Sequence, residues 1–359
     1  MIEGAFCLAL MSAAACAAPA LVSPPEYVRA ESSSKKAPGA AYPACLGRTV
    51  PLSVSKEMPY GEVHIGASRG RFMLDYGANV SSIDLKAMPG AEPVQGSCDT
   101  AAPGGRCVFE DFTFVDNLGS VSLYTADYSG LILDAPQAGI IGTDFLSESA
   151  YTLRYAEGSF SLAGREEMCS AGALFAAGFS PLSTAGYFSD DGRKLLPLSA
   201  LNENYTGPLS VPNVPAVPIR VAGVDARAQI DTGYSDYIVR HSININVALY
   251  SRITAADPAA LQRWPEKDKK LSTCVPGVLE PVEAYRLKKG AVEFIAEDGA
   301  AARSFREAVV YVKRTPAAAM HCGGIGTHTE PSAQLGGSFI ADLGTAVFDP
   351  FSSRVWIPR

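Results

Sequence analysis

Two aspartates in this 359-residue chain stand in matching surroundings. Phe72-Met73-Leu74-Asp75-Tyr76-Gly77-Ala78 is matched by Ala228-Gln229-Ile230-Asp231-Thr232-Gly233-Tyr234. In each, an apolar stretch runs into an Asp-x-Gly turn. Each is followed by a second matching segment, Ile140-Ile141-Gly142-Thr143-Asp144-Phe145-Leu146 in one case and Gln334-Leu335-Gly336-Gly337-Ser338-Phe339-Ile340 in the other. Two carboxylates brought together across a pseudo-twofold axis can share one proton. Like charges about 3 Å apart do not both ionise easily, so one aspartate serves as base and the other as acid. The plain alternative is a pair of ordinary Asp-Gly turns at strand ends. A lone Asp-Thr-Gly would not decide between them, but an ordered quartet is a much stronger pattern.

The elements that must deliver the aspartates are hairpins. Glu62-Val63-His64-Ile65 and Arg71-Phe72-Met73-Leu74 flank a glycine-bearing turn at residues 66–70. Val217-Pro218-Ile219-Arg220-Val221, a turn at Gly223 and residues 226–230 repeat the arrangement before Asp231. The interval from aspartate to later glycine is longer in the second copy. Its extra length falls at residues 255–270, where Pro258-Ala259-Ala260-Leu261-Gln262-Arg263-Trp264 predicts a helical insertion. Residues 169–194 lack sustained alternation and are expected to connect the two halves.

These residues resemble the aspartic peptidases, both the two-lobed pepsin-like enzymes and the single-lobed retroviral-type ones. The resemblance covers residues 45–359 by order and spacing more than by identity. The chain end adds to it: Ala346-Val347-Phe348-Asp349 and Arg354-Val355-Trp356-Ile357 look like the last strands of a pepsin-like lobe, with counterparts at Tyr151-Thr152-Leu153 and Phe160-Ser161-Leu162. It implies a predominantly all-β fold of two related lobes, 45–168 and 195–359, with the active-site cleft between them. Asp75 and Asp231 would be catalytic, with Gly77, Thr232 and Gly233 supporting the turns and no metal or organic cofactor. The substrate would be an extended peptide or unfolded protein, and the enzyme a monomer.

Three positions depart from the family pattern. Tyr76 stands where the family has a Thr or Ser whose hydroxyl braces the opposite turn; Thr232 can make its half of that brace. Ala78 and Tyr234 lack the hydroxyl that pepsin-like enzymes place after the glycine, and Ser235 is the nearest substitute for Tyr234. A flap is expected within residues 94–109, with Ala101, Ala102, Pro103, Gly104 and Gly105 at its tip and no tyrosine to match the pepsin flap. The same segment also reads as a plain surface hairpin. Tyr76 supports a competing reading, a catalytically inactive binding or inhibitor-like protein on the same scaffold.

Composition sets the remaining bounds. A hydrophobic share of 47% with 19% charged residues is ordinary for a globular protein. A net charge of −7 gives no basic field for nucleic acid. Residues 1–20 are small and apolar and read as a secretory signal, although Glu3 precedes the apolar run and no Lys or Arg does. Ala13-Ala14-Ala15-Cys16 also fits a loose lipobox, which would put a lipid anchor on Cys16. Residues 21–44 read as a tether or short propeptide, and no apolar run reaches the ~18 residues of a membrane span.

Cleavage of the leader would leave Cys45, Cys98, Cys107, Cys169, Cys274 and Cys322, an even set that suits an oxidising, extracytoplasmic compartment. Fifteen pairings exist for six cysteines. Cys98 with Cys107 would close a short hairpin, Cys45 with Cys169 would tie the ends of the first half, and Cys274 with Cys322 would lie within the second. The glycine-rich stretch from His321 to His328 is read as a loop rather than a metal or phosphate site. The four histidines accompany no Gly-x-Ser-x-Gly, which argues against a serine hydrolase.

Overall fold

A computed structural model describes residues 43–100, 104–130, 136–184, 196–197, 210–211, 214–236, 239–273, 275–322 and 324–359. The expected leader and nearly all of the tether lie outside these residues. The fold is predominantly β, and among the described residues no helix is long and apolar enough to cross a membrane.

The hairpin of the second half forms because apolar side chains alternate onto one face. In Ala216–Val221, Val217, Ile219 and Val221 are buried while their neighbours are half-exposed. The turn into Val224–Ile230 is made by Ala222 and Gly223, both at positive φ (50° and 83°), which matches the twist of a two-residue hairpin. Met58–Ile65 and Ser68–Leu74 form the equivalent hairpin in the first half.

Each half then builds its sheet by one pattern. Gly139–Ile141 runs parallel to Ser68–Leu74 and antiparallel to Ser82–Ile83, which lies parallel to Asn117–Thr125. Ser332–Leu335 runs parallel to Val224–Ile230 and antiparallel to Ser242–Ile245, which lies parallel to Val309–Lys313. The first sheet closes on itself where Ile65 pairs with Phe112. A third sheet draws a hairpin from each half, with Ala150–Arg154 against Thr345–Asp349 at its centre.

One stretch without sustained alternation carries regular structure, and one expectation needs correcting. Within 169–194, expected to connect the two halves, Ala171–Ala176 is a helix capped by Ser170, and Phe179–Ser183 is an edge strand of the third sheet, paired with Arg354–Pro358. Its pairing partner lies at the far end of the chain, so alternation over five residues was too short to reveal it. The helix expected at 255–270 lies earlier, at Val247–Ala256. Asn246 starts it by accepting from Leu249 N at 2.9 Å. Asp257, extended before Pro258, ends it. Leu261–Arg263 and Lys269–Ser272 are strands.

Two disulfides are present, Cys45–Cys169 and Cys98–Cys107; Cys274 lies outside the described residues, and so the third pairing does too. Such bridges suit an extracellular or otherwise oxidising compartment. Replacing Cys98 and Cys107 by Ser together is expected to lower stability by about 2–3 kcal/mol, the loop-closure value for so short a loop. Urea unfolding of the double variant checks this, and an unchanged midpoint would contradict it.

Candidate functional site

Each aspartate sits where its hairpin ends and meets the glycine segment of its own half. Asp75 N donates to Ile141 O and Asp231 N to Leu335 O, both at 2.9 Å. Ala78 N closes the first turn on Asp75 O and Tyr234 N the second on Asp231 O, both at 3.3 Å. Thr143 N donates to Ala78 O at 2.9 Å and Gly337 N to Tyr234 O at 2.8 Å. The same bonds thus clamp both turns, and the matched segments of the sequence are matched in space.

The two turns face each other. Gly77 N donates to Asp75 Oδ1 at 2.7 Å. Gly233 N is shared between Asp231 Oδ1 at 3.0 Å and Asp75 Oδ1 at 3.2 Å. A Cβ on Gly77 would stand 2.2 Å from Asp231 Cγ, and one on Gly233 would stand 2.5 Å from Asp75 Cγ. Both positions therefore exclude every side chain, which is why each turn carries glycine there.

Both carboxyls are fully buried and are in hydrogen-bond contact with each other. Burial pushes both above the ordinary carboxylate range. Asp231 is raised further by the charge of Asp75, while the donors from Gly233 and Gln334 pull it back. Asp75 is likewise offset by its bond to Asp231 and by backbone N–H groups. Such a pair takes up a proton as a unit. The arrangement can hold one proton between two carboxyls at a pH where isolated aspartates are ionised.

Thr232 braces the first turn: its Oγ1 accepts from Tyr76 N at 3.0 Å and donates to Leu74 O at 2.6 Å. Tyr76 does not return the same bond. Its ring leaves the turn and stacks on Phe348, with centroids 3.7 Å apart, planes within 10° and both rings fully buried. Ser235 does not stand in for a hydroxyl at Tyr234, because it bonds Glu57 instead. Tyr234 itself turns its hydroxyl to Ser242 Oγ, 2.8 Å away.

Among the described residues of the expected flap segment, the strand is the one that begins at Arg106. Residues 94–99 run as irregular chain beside Arg106–Thr113, held by Val94 N to Val108 O at 2.8 Å, Asp99 N to Arg106 O at 3.1 Å and the Cys98–Cys107 bridge. Gly104 and Gly105 are buried and bonded to Thr125 of the Asn117–Thr125 strand. Ala101, Ala102 and Pro103 lie outside the described residues. The stretch from His321 to His328 carries two short 3-10 turns, Ala317–Cys322 and Ile325–Thr327.

One residue at the site escaped sequence reasoning. Gln334 Nε2 donates to Asp231 Oδ2 at 2.5 Å. It belongs to the matched segment, but its counterpart is Ile140, so attention falls on the glycine rather than on the exception. The available signal was a polar residue at a position that the first copy fills with isoleucine. No protein-family model and no curated protein matches this chain, so the reading of the site rests on its own geometry.

Proposed function

We propose that this protein is an aspartic endopeptidase built of two related lobes with a substrate cleft between them. The observation that carries the reading is the contact of two buried carboxyls, delivered by turns whose bonding repeats from one half to the other. One carboxylate takes a proton from a bound water as it attacks the scissile carbonyl, and the other protonates the developing oxyanion. An extended peptide lies in the cleft as an added strand, its side chains in alternating pockets. Export belongs to the same proposal, supported by the apolar leader and the two disulfides.

A second reading is favoured by two specific observations. Tyr76 removes one half of the hydroxyl brace, and neither aspartate is exposed to solvent. It makes the protein a binding module on the same scaffold, with the pair retained but idle.

The test is cleavage of unfolded protein substrates from acidic to neutral pH, with and without a pepstatin-type inhibitor that mimics the tetrahedral intermediate. Cleavage that the inhibitor blocks is the expected result. Absence of cleavage across the whole range rejects the peptidase reading and leaves the binding module.

A further inference from the structure

One row of side chains across the second sheet is polar where its counterpart is largely apolar. Gln334 sits between Gln229 and Asn244 on the neighbouring strands. The equivalent row in the first half is Met73, Ile140 and Ser82. Asn244 Nδ2 donates to Gln334 Oε1 at 2.8 Å, which orients the amide so that its Nε2 points at Asp231 Oδ2, 2.5 Å away. Gln229 Nε2 continues the row to Gly77 O of the opposite turn at 3.3 Å. Ile140 offers Asp75 nothing of the kind.

The consequence appears in the four carboxyl oxygens. Asp75 Oδ1 accepts from Gly77 and Gly233, Asp231 Oδ1 from Gly233, and Asp231 Oδ2 from Gln334. Asp75 Oδ2 accepts from no N–H or O–H donor among the described residues. A donor aimed at a carboxyl oxygen favours its charged form and disfavours a proton there. The charge of Asp75 and the bond between the two carboxyls raise Asp231 the more; that ordering takes Asp75 as the charged member, and whichever carboxyl ionises first raises the other. Asp75 accepts as many donors as Asp231, but they leave its Oδ2 bare while both oxygens of Asp231 are met, and that one bare oxygen makes the choice.

We propose that Gln334 is a positioning residue of the aspartate pair, holding Asp231 as the carboxylate and leaving the shared proton on Asp75 Oδ2. Its catalytic meaning rests on the peptidase reading above. In that reaction Asp231 takes a proton from water as the water oxygen bonds the carbonyl carbon, and Asp75 gives its proton to the carbonyl oxygen. The C–N bond then breaks, Asp231 returns its proton to the leaving amine, and Asp75 recovers one from the diol hydroxyl. No other reactant is required.

The experiment is a carboxyl titration followed by 13C NMR on protein labelled at aspartate, with Asp75 and Asp231 assigned through their Asn variants. In the wild type, Asp231 is expected to ionise at a pH where Asp75 still holds its proton. Gln334→Met, which keeps length and removes the donor, should raise the ionisation of Asp231 by about one to two pH units. Asn244→Ala, which frees the amide to rotate, should shift it the same way by less and serves if Gln334→Met does not fold. Where cleavage is present, its acid limb moves with the titration. A titration unchanged in both variants, or a proton on Asp231 in the wild type, overturns the proposal. A wild type that titrates as expected but cleaves nothing supports the role of Gln334 and rejects the peptidase reading instead.

Discussion

Asp75→Asn and Asp231→Asn should each reduce peptide cleavage by about a thousandfold or more, because each removes one member of a pair that acts as a unit. Neither should unfold the protein. Both carboxyls lie above the ordinary value of 3.8 in the fold, so the folded state binds protons more tightly than the unfolded chain. The stability this proton contributes is whole below the unfolded value and is lost as pH rises through the folded ones. Near neutral pH the wild type must therefore keep charge in a fully buried site, and an Asn variant is relieved of part of it. Thermal unfolding at neutral pH should show each Asn variant as stable as the wild type or more so, with the difference closing as pH falls toward 3.8. Full activity in Asp75→Asn would end the shared-proton mechanism. A variant markedly less stable than the wild type at neutral pH would show that the carboxylates are favourably paired, against the raised values.

Tyr76→Thr restores the residue type of the resembled family, yet it should destabilise this protein by about 3 kcal/mol. Two effects compete. A new hydroxyl could return the bond that Thr232 already makes, worth about 1 kcal/mol net. Against it stands the loss of a fully buried ring stacked on Phe348 and the cavity it leaves. The cavity is the larger effect. Tyr76→Phe keeps the stack and should cost far less, and Phe348→Leu should lose part of its effect when Tyr76 is already Thr, with a coupling of about 0.5–1.5 kcal/mol. Urea midpoints of the three variants and the double variant measure this. A Tyr76→Thr protein as stable as the wild type would mean that the stack holds nothing in place. Cleavage measured where the variant remains folded separates the functional readings: activity appearing only in Tyr76→Thr would mark the wild type as a peptidase disabled by the missing brace.

Much of the fold was legible locally. The hairpin before Asp231 announces itself by apolar alternation and a turn glycine, and the one before Asp75 by its turn glycines and the apolar run into the aspartate, all features within a few residues. The need for Gly77 and Gly233 was legible as a motif, although its cause, a Cβ driven into the opposite aspartate, is a contact between the two halves of the chain. The helix capped by Asn246 was misplaced because the Pro258-Ala259-Ala260 stretch looked helical, while the cap that starts the helix stood twelve residues earlier. The strand Phe179–Ser183 was passed over because what makes it a strand is its partner at the chain end.

The site divides in the same way. Which residues could do the chemistry followed from the sequence alone, since the repeated Asp-x-Gly segments name the pair. Tertiary structure decided how the pair is held. Tyr76 finds its support in Phe348, and Asp231 finds its donor in Gln334, oriented in turn by Asn244. Strand period and turn sterics act between near neighbours and so leave a written pattern. A ring stack or a donor across three strands depends on which distant residues the sheet pairing sets side by side, and no local pattern records that.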